Sequence, residues 1–188
     1  MTKPTPRGWN TIRVIAIARA ISILGDELAI FALLLRVKHD GGGAVSVAMV
    51  LMAGQLPLIL LSPWAGMLAD RVPVRKLAPL INLVQAALAG LLAIRQPLLT
   101  SLLLVCLLGI GQSIVPAAWN ATLPEITDKE EMPRAMSLMQ ALYAMAGMAG
   151  PAVAGVLVSN FGYSVPMIAN AISFIFIAAV PIFLTLPF

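Results

Sequence analysis

The sequence predicts an all-α integral membrane fold that crosses the bilayer six times, and two observations carry that prediction. The first is composition: 60% of the 188 residues are apolar and 11% are charged, against about 25% charged in soluble domains, and the mean hydropathy is +0.96. A water-soluble fold of this size cannot hide so much apolar surface. The second is spacing, because the apolar residues fall into six runs with short polar or Gly/Pro-containing breaks between them. A hydrocarbon core about 30 Å thick takes about 20 residues per helical span, so six spans use about two thirds of the chain.

The first span covers 12–36. Lys3, Arg7 and Arg13 ahead of it give the outline of a secretory signal, but the apolar run lasts about 20 residues, enough for a retained transmembrane helix. A break at Val37 to Ala44, with the Gly41-Gly42-Gly43 turn, leads into the second span, 45–69. Asp70 to Lys76 then precede the third span, 77–94, and Arg95 to Pro97 separate it from the fourth, 98–119. Asn120 to Pro133 form the acidic loop, in which Asp128 and Glu131 have the spacing of a capping box for the fifth span, 134–158. After Ser159 to Tyr163 comes the sixth span, 164–186. The organisation read from this is a cytoplasmic N-terminal segment at 1–11, a six-helix transmembrane domain at 12–186 and a C-terminal end at 187–188.

Orientation follows from basic residues, which are retained on the cytoplasmic side. An inside N-terminus places Lys3, Arg7, Arg13, Arg71, Arg75, Lys76, Lys129 and Arg134 in the cytoplasm against Arg36, Lys38 and Arg95 outside. Both termini are then cytoplasmic, in a bacterial plasma (inner) membrane. Trp9, Trp64 and Trp119 fall near the cytoplasmic interface, where amphipathic rings are favoured.

Several function classes are disfavoured. The net charge of +4 comes from basic residues dispersed between apolar runs, not from the clustered patch a nucleic-acid surface needs. A single cysteine, Cys106, and a single histidine, His39, make neither a disulfide framework nor a Cys/His metal site. With no metal cluster, no histidine beside a membrane-depth nucleophile and no phosphate-cradling loop, an enzyme is not expected and neither is a cofactor.

The two halves echo each other. Ala65-Gly66-Met67-Leu68-Ala69-Asp70-Arg71 is similar to Ala154-Gly155-Val156-Leu157-Val158-Ser159-Asn160, and Pro79-Leu80-Ile81-Asn82 to Pro166-Met167-Ile168-Ala169-Asn170. The offset is three spans, and an odd number of spans per repeat inverts the second copy, a construction principle of secondary transporters.

The first span supplies a charged constellation. Arg19, Ser22 and Asp26 lie at i, i+3 and i+7, hence on one helical face, with Asp26 near mid-span and Glu27 on a different face. An ionisable group at that depth is costly unless paired, hydrated or neutralised, so Asp26 is the first proton-carrying candidate, Glu27 the second, and Arg19 a structural or substrate-charge partner. A static ion pair of Asp26 with Arg19, or a capped polar contact, is the alternative. Gln55, Asn82, Gln85, Gln112, Gln140, Tyr143 and Asn170 are polar residues within spans that can bond helices together or line a cavity.

Several stretches resemble the major facilitator superfamily. Its loop between spans 2 and 3 reads G-x-x-x-D-[RK]-x-G-x-[RK]-[RK], and Gly66, Asp70, Arg71, Arg75 and Lys76 match it, with Pro73 in place of the second glycine. Gly66 can let helices approach closely, and Asp70 can pair with Arg71 or Arg75. The resemblance implies a gate loop. In span 5, Gly147 to Gly155 resembles the antiporter motif containing G-P-x-x-G-G: Gly150, Pro151 and Gly155 match and Ala154 departs from it. Pro151 predicts a kink or soft point, and Ala144, Gly147, Pro151 and Gly155 a small-residue packing face. The span 1 stretch Ser22-Ile23-Leu24-Gly25-Asp26 resembles the third drug:proton antiporter subgroup, as do Leu123-Pro124-Glu125, Arg134-Ala135 and Asn170 to Phe174. Span 4 has Val105 where many superfamily antiporters carry arginine. By analogy with that fold, Gln55, Gln112 and Gln140 face a cavity.

The resemblance implies one half of a major facilitator fold, built as two inverted three-helix repeats. It further implies alternating-access, proton-coupled efflux of drug-like or amphipathic small molecules, driven by a proton gradient. Membrane lipid, a small-molecule substrate, and a second six-helix half or another copy of the chain are the implied partners. Alternatives are a lysophospholipid or siderophore carrier and a non-transporting six-helix fragment or assembly partner.

Overall fold

The computed structural model describes residues 6–183, with the side chains of residues 6–8, 69, 70, 122, 125, 126, 182 and 183 outside the description. Those residues form α1 (Pro6–His39), α2 (Ala44–Arg71), α3 (Val74–Ala93), α4 (Leu98–Ile126), α5 (Met132–Phe161) and α6 (Ser164–Phe183). Each expected span is a helix over its described residues, and four of the five breaks are shorter than expected, the exception being the one before α4. Val72 and Pro73 alone separate α2 from α3, where a loop from Asp70 to Lys76 was predicted. Pro73 takes the N-cap position of α3 with φ −55°, which its ring dictates, so the substitution for glycine suits a helix start. The predicted loop from Asn120 is helical to Ile126. At 1.5 Å per residue this 29-residue helix is long enough to run through the headgroup region as well as the hydrocarbon, so polar residues there do not end it. The expected capping box is not made: Glu131 is itself the N-cap of α5 and no side chain caps it.

Five of the helices are apolar and long enough to cross a membrane by composition alone; α1 is interrupted by Arg19, Asp26 and Glu27. Large apolar side chains such as Ile59 (67% exposed) and Leu99 (70%) cover the outside of the bundle, a surface suited to lipid. Internal prolines, including Pro57, Pro116 and Pro151, leave the helices continuous, as a bundle that re-satisfies freed carbonyls allows.

The packing follows the repeat. α1 lies against α5 and α6, α4 against α2 and α3, and α3 against α6. Exchanging α1 with α4, α2 with α5 and α3 with α6 maps this set of pairings onto itself. The fold is two inverted three-helix repeats, half of a major facilitator fold.

Two glycines set the closest approaches. A Cβ on Gly109 of α4 would stand 2.5 Å from the Gly54 carbonyl oxygen of α2, and one on Gly150 of α5 would overlap the Glu27 side-chain root on α1. Gly66, Gly147 and Gly155 have nothing within 4 Å of that position. The expected packing face of Gly147, Pro151 and Gly155 is therefore displaced by one step around the helix, to Ala146, Gly150 and Ala154, which are buried. Gly66 likewise mediates no close approach.

Buried apolar residues form two clusters. One, around Ile15, Val74, Val115, Trp119 and Met139, lies toward the end that carries the N-terminus. The other, around Leu33, Val50, Leu92, Leu104 and Phe174, lies toward the opposite end. Trp119 was expected at an interface, but it is 3% exposed; α4 continues past it, so its ring faces the bundle. Trp9 instead meets Arg134, whose guanidinium carbon is 4.9 Å from the ring centroid, a cation–π contact joining α1 to α5.

The opposite end is tied by polar contacts. Arg36 donates to the carbonyls of Leu92 (3.0 Å), Ala93 (3.2 Å) and Ile94 (3.3 Å), closing the C-terminus of α3. Ser164 of α6 donates to the same Ala93 carbonyl at 2.7 Å, and Arg95 pairs with Asp40 at 2.7 Å. α1 itself ends at Gly41, whose φ of +89° and the Gly42 N–H bond to Val37 O at 2.9 Å make a Schellman stop.

Candidate functional site: a polar layer at mid-depth

Between the two apolar clusters α1, α3, α4 and α6 contribute a layer of buried polar side chains: Arg19, Ser22, Asn82, Gln85, Ser113, Asn170 and Ser173. The helical periodicity of α1 places Arg19, Ser22 and Asp26 on the face that lines this layer. Gly25 brings α6 in close, since a Cβ there would stand 2.6 Å from Ser173 Oγ and 2.7 Å from Asn170 Oδ1. That proximity lets Asn170 Nδ2 donate to Asp26 Oδ1 at 3.2 Å. Ser173 Oγ lies 2.8 Å from the Asn170 main-chain oxygen and 3.2 Å from its Oδ1, which orients the amide with its nitrogen toward the acid.

The α3–α4 crossing has the same glycine-mediated close approach, without the charge. Gly111-Gln112 on α4 stands where Gly25-Asp26 stands on α1, and Asn82 and Gln85 on α3 stand where Asn170 and Ser173 stand on α6. A Cβ at Gly111 would be 2.5 Å from Gln85 Cδ, and Gln85 Nε2 donates to the Leu108 carbonyl at 3.2 Å. The pseudo-symmetric pair at the centre is thus one acid and one amide.

Two cavities meet at this layer. A cavity of about 120 Å³ is bordered by Asp26, Glu27, Gln55, Gln112 and Asn170, and a larger one of about 360 Å³ by Arg19, Ser22, Asp26, Glu27, Asn82 and Gln112 among others. Asp26, Glu27 and Gln112 border both. Of the expected cavity residues, Gln55 and Gln112 are in place; Gln140 is exposed on α5 and borders neither. Glu27 reaches the site by packing its stem over Gly150.

Arg19 does not form the ion pair with Asp26. Two helical turns, about 10 Å of rise, separate them, and the guanidinium instead sits 5.3 Å from the Tyr143 ring centroid. Arg95 pairs with Asp40, and His39 Nδ1 lies 3.5 Å from the same Asp40, both at the far end of the bundle. Of the expected gate loop, Arg71, Arg75 and Lys76 are exposed where α2 hands over to α3, and the side chain of Asp70 lies outside the described residues. Arg36 and its three acceptors had no sequence signal, because the acceptors are main-chain carbonyls of another helix.

A half-buried acid and its buried amide partner, set between cavities in an inverted-repeat helical bundle, define an integral membrane protein of the secondary-transporter class. Residues 15–187 match the Major Facilitator Superfamily, and the chain belongs to that family, one of transporters and not of enzymes. It is 28% identical over 185 residues to the uncharacterised MFS-type transporter YfiS of Bacillus subtilis, covering 97% of this chain and 44% of that protein. It is 25% identical over 146 residues to macrolide efflux protein A of Streptococcus pyogenes (75% of this chain, 36% of that one). Over 137 residues it is 27% identical to the staphyloferrin A transporter of Staphylococcus aureus (70% and 34%). The chain spans less than half the length of each of these relatives.

Proposed function

We propose that this chain acts as a six-helix half of a proton-coupled exporter of drug-like or amphipathic small molecules, working by alternating access. The observation that carries the reading is Asp26, held at mid-depth by Asn170 and bordering both cavities; a protonatable group there can be reached from more than one side. Proton binding at Asp26, with Glu27 beside it, favours one orientation, and substrate opposes it. Asp70, Arg71, Arg75 and Lys76 bias the gate at the α2–α3 junction. Similarity to a macrolide efflux protein supports drug-like cargo.

The second half, or another copy of the chain, packs on α2 and α5. These helices have the least buried lengths of the bundle's spans, and α5 turns Gly147, Gly155 and Gln140 outward, small and polar residues of the kind that mediate helix association in lipid. Both termini then lie in the cytoplasm, in a bacterial inner membrane, and the basic residues of the loops support that orientation. The proton gradient is the energy source and no cofactor takes part.

The test is transport by the full native polypeptide in proteoliposomes with an imposed pH gradient. Asp26→Asn is expected to abolish gradient-driven transport, at least about tenfold, a loss equivalent to about 1.4 kcal/mol, while leaving substrate binding measurable. Gradient-driven transport at the normal rate by that variant would overturn the coupling assignment. A siderophore carrier is the second reading, favoured by the buried cation Arg19 in the cavity and by similarity to the staphyloferrin A transporter; competition between substrates separates the two.

A further inference from the structure

The larger cavity holds an unbalanced set of hydrogen-bonding groups. Arg19 is 8% and Asn82 1% exposed, both line the cavity, and Arg19 Nε, Arg19 Nη1 and Asn82 Nδ2 have no hydrogen-bond partner. All three are donors with no acceptor capacity. A buried donor left unmet is costly, and a buried guanidinium without a countercharge more so. The Tyr143 ring at 5.3 Å and its buried, likewise unpartnered hydroxyl meet part of the charge and can accept from one of those N–H groups, which leaves the others unmet. Asp26 is two turns away, and its Oδ1 is held by Asn170. The missing group is therefore an acceptor, and a negative one.

We propose that this cavity binds the oxyanion of an amphipathic substrate, a carboxylate or phosphate ester held by Arg19 and Asn82 with its apolar part toward Leu58 of the same cavity. Asp26 and Glu27 border the other end of the space, and like charges repel there, so a single anionic group or a zwitterion fits and an acid group at each end does not. The cavity volume, about 360 Å³, is in the range of small-molecule sites. The inference rests on the transporter reading in taking the cavity as the substrate site, and it names the chemistry of the cargo.

The test uses the full native polypeptide purified in a neutral maltoside detergent. Octanoate, octyl phosphate, octylammonium and inorganic phosphate are titrated against the thermal unfolding midpoint. One or both octyl anions are expected to raise the midpoint while octylammonium and inorganic phosphate do not; the two anionic probes tell carboxylate from phosphate ester. Arg19→Gln and Asn82→Ala are each expected to weaken anion binding about tenfold or more, with Arg19→Lys intermediate. Monodisperse elution certifies folding, and if Arg19→Gln fails that check Asn82→Ala carries the test. Octylammonium binding as tightly as the anions, inorganic phosphate binding as tightly as octyl phosphate, or folded variants that bind the anions unchanged would each overturn the proposal. Anion binding without transport counts against the transporter reading instead, and transport of a cationic amphiphile without anion binding against this inference alone.

Discussion

Gly109→Ala and Gly150→Ala are each expected to destabilise the six-helix bundle by about 2 kcal/mol, while the same change at Gly147 or Gly155 leaves the packing within this bundle unaffected and is felt only where another half packs on α5. The added methyl at position 109 arrives 2.5 Å from the Gly54 carbonyl oxygen and 3.3 Å from Pro57 Cγ. Neither can swing aside: one is main chain and the other belongs to a ring locked into the helix. At position 150 the methyl meets the root of Glu27 rather than its flexible end. In both cases the helix axes must part, α4 from α2 or α5 from α1, and contacts along the whole crossing are loosened. Gly147 and Gly155 face open space, so a methyl there meets nothing within the chain. Unfolding midpoints in detergent titrations of the four variants make the comparison internal. Equal tolerance at all four positions would show that the close crossings do not hold the bundle together.

That contrast also marks what could be read in advance. The six helices were legible because each is a continuous apolar run. Their ends were not, because a helix in a membrane need not stop where hydrophobicity stops: Asn120 to Ile126 are polar enough to suggest a loop, yet they continue α4 as helix. The face that carries Arg19, Ser22 and Asp26 was legible from spacing alone. Its partner Asn170 was noticed only as one polar residue among several, since pairing with Asp26 depends on how α6 is rotated against α1. The same rotation decides which glycine of α5 packs. Gly147, Gly150 and Gly155 look alike in sequence, and only the phase of α5 against Glu27 selects Gly150. The same kind of rotation turns the Trp119 ring into the bundle, 3% exposed, where its depth alone suggested an interfacial ring.

Arg36→Leu is expected to cost about 3 kcal/mol and to loosen the end of α3 before the rest of the bundle. The last four carbonyls of a helix have no partner inside it, and here Arg36 supplies donors to those of Leu92, Ala93 and Ile94. Bonds from a charged donor contribute about 1.5–3 kcal/mol each in isolation, but three from one side chain share their ordering cost and do not add. The guanidinium also sets a positive charge against the negative end of the α3 dipole. Arg36→Lys keeps the charge but offers a compact head in place of the planar fork, so it should recover part of the loss. Asp40→Ala removes the Arg95 pair, in which Arg95 is 79% exposed, and an exposed pair contributes less than about 1 kcal/mol. The expected order of destabilisation is Arg36→Leu, then Arg36→Lys, then Asp40→Ala, read from detergent unfolding midpoints together with amide hydrogen exchange at residues 90–94. If Asp40→Ala proves as damaging as Arg36→Leu, the surface ion pair, and not the capping of α3, is what ties α1 to α3 at this end.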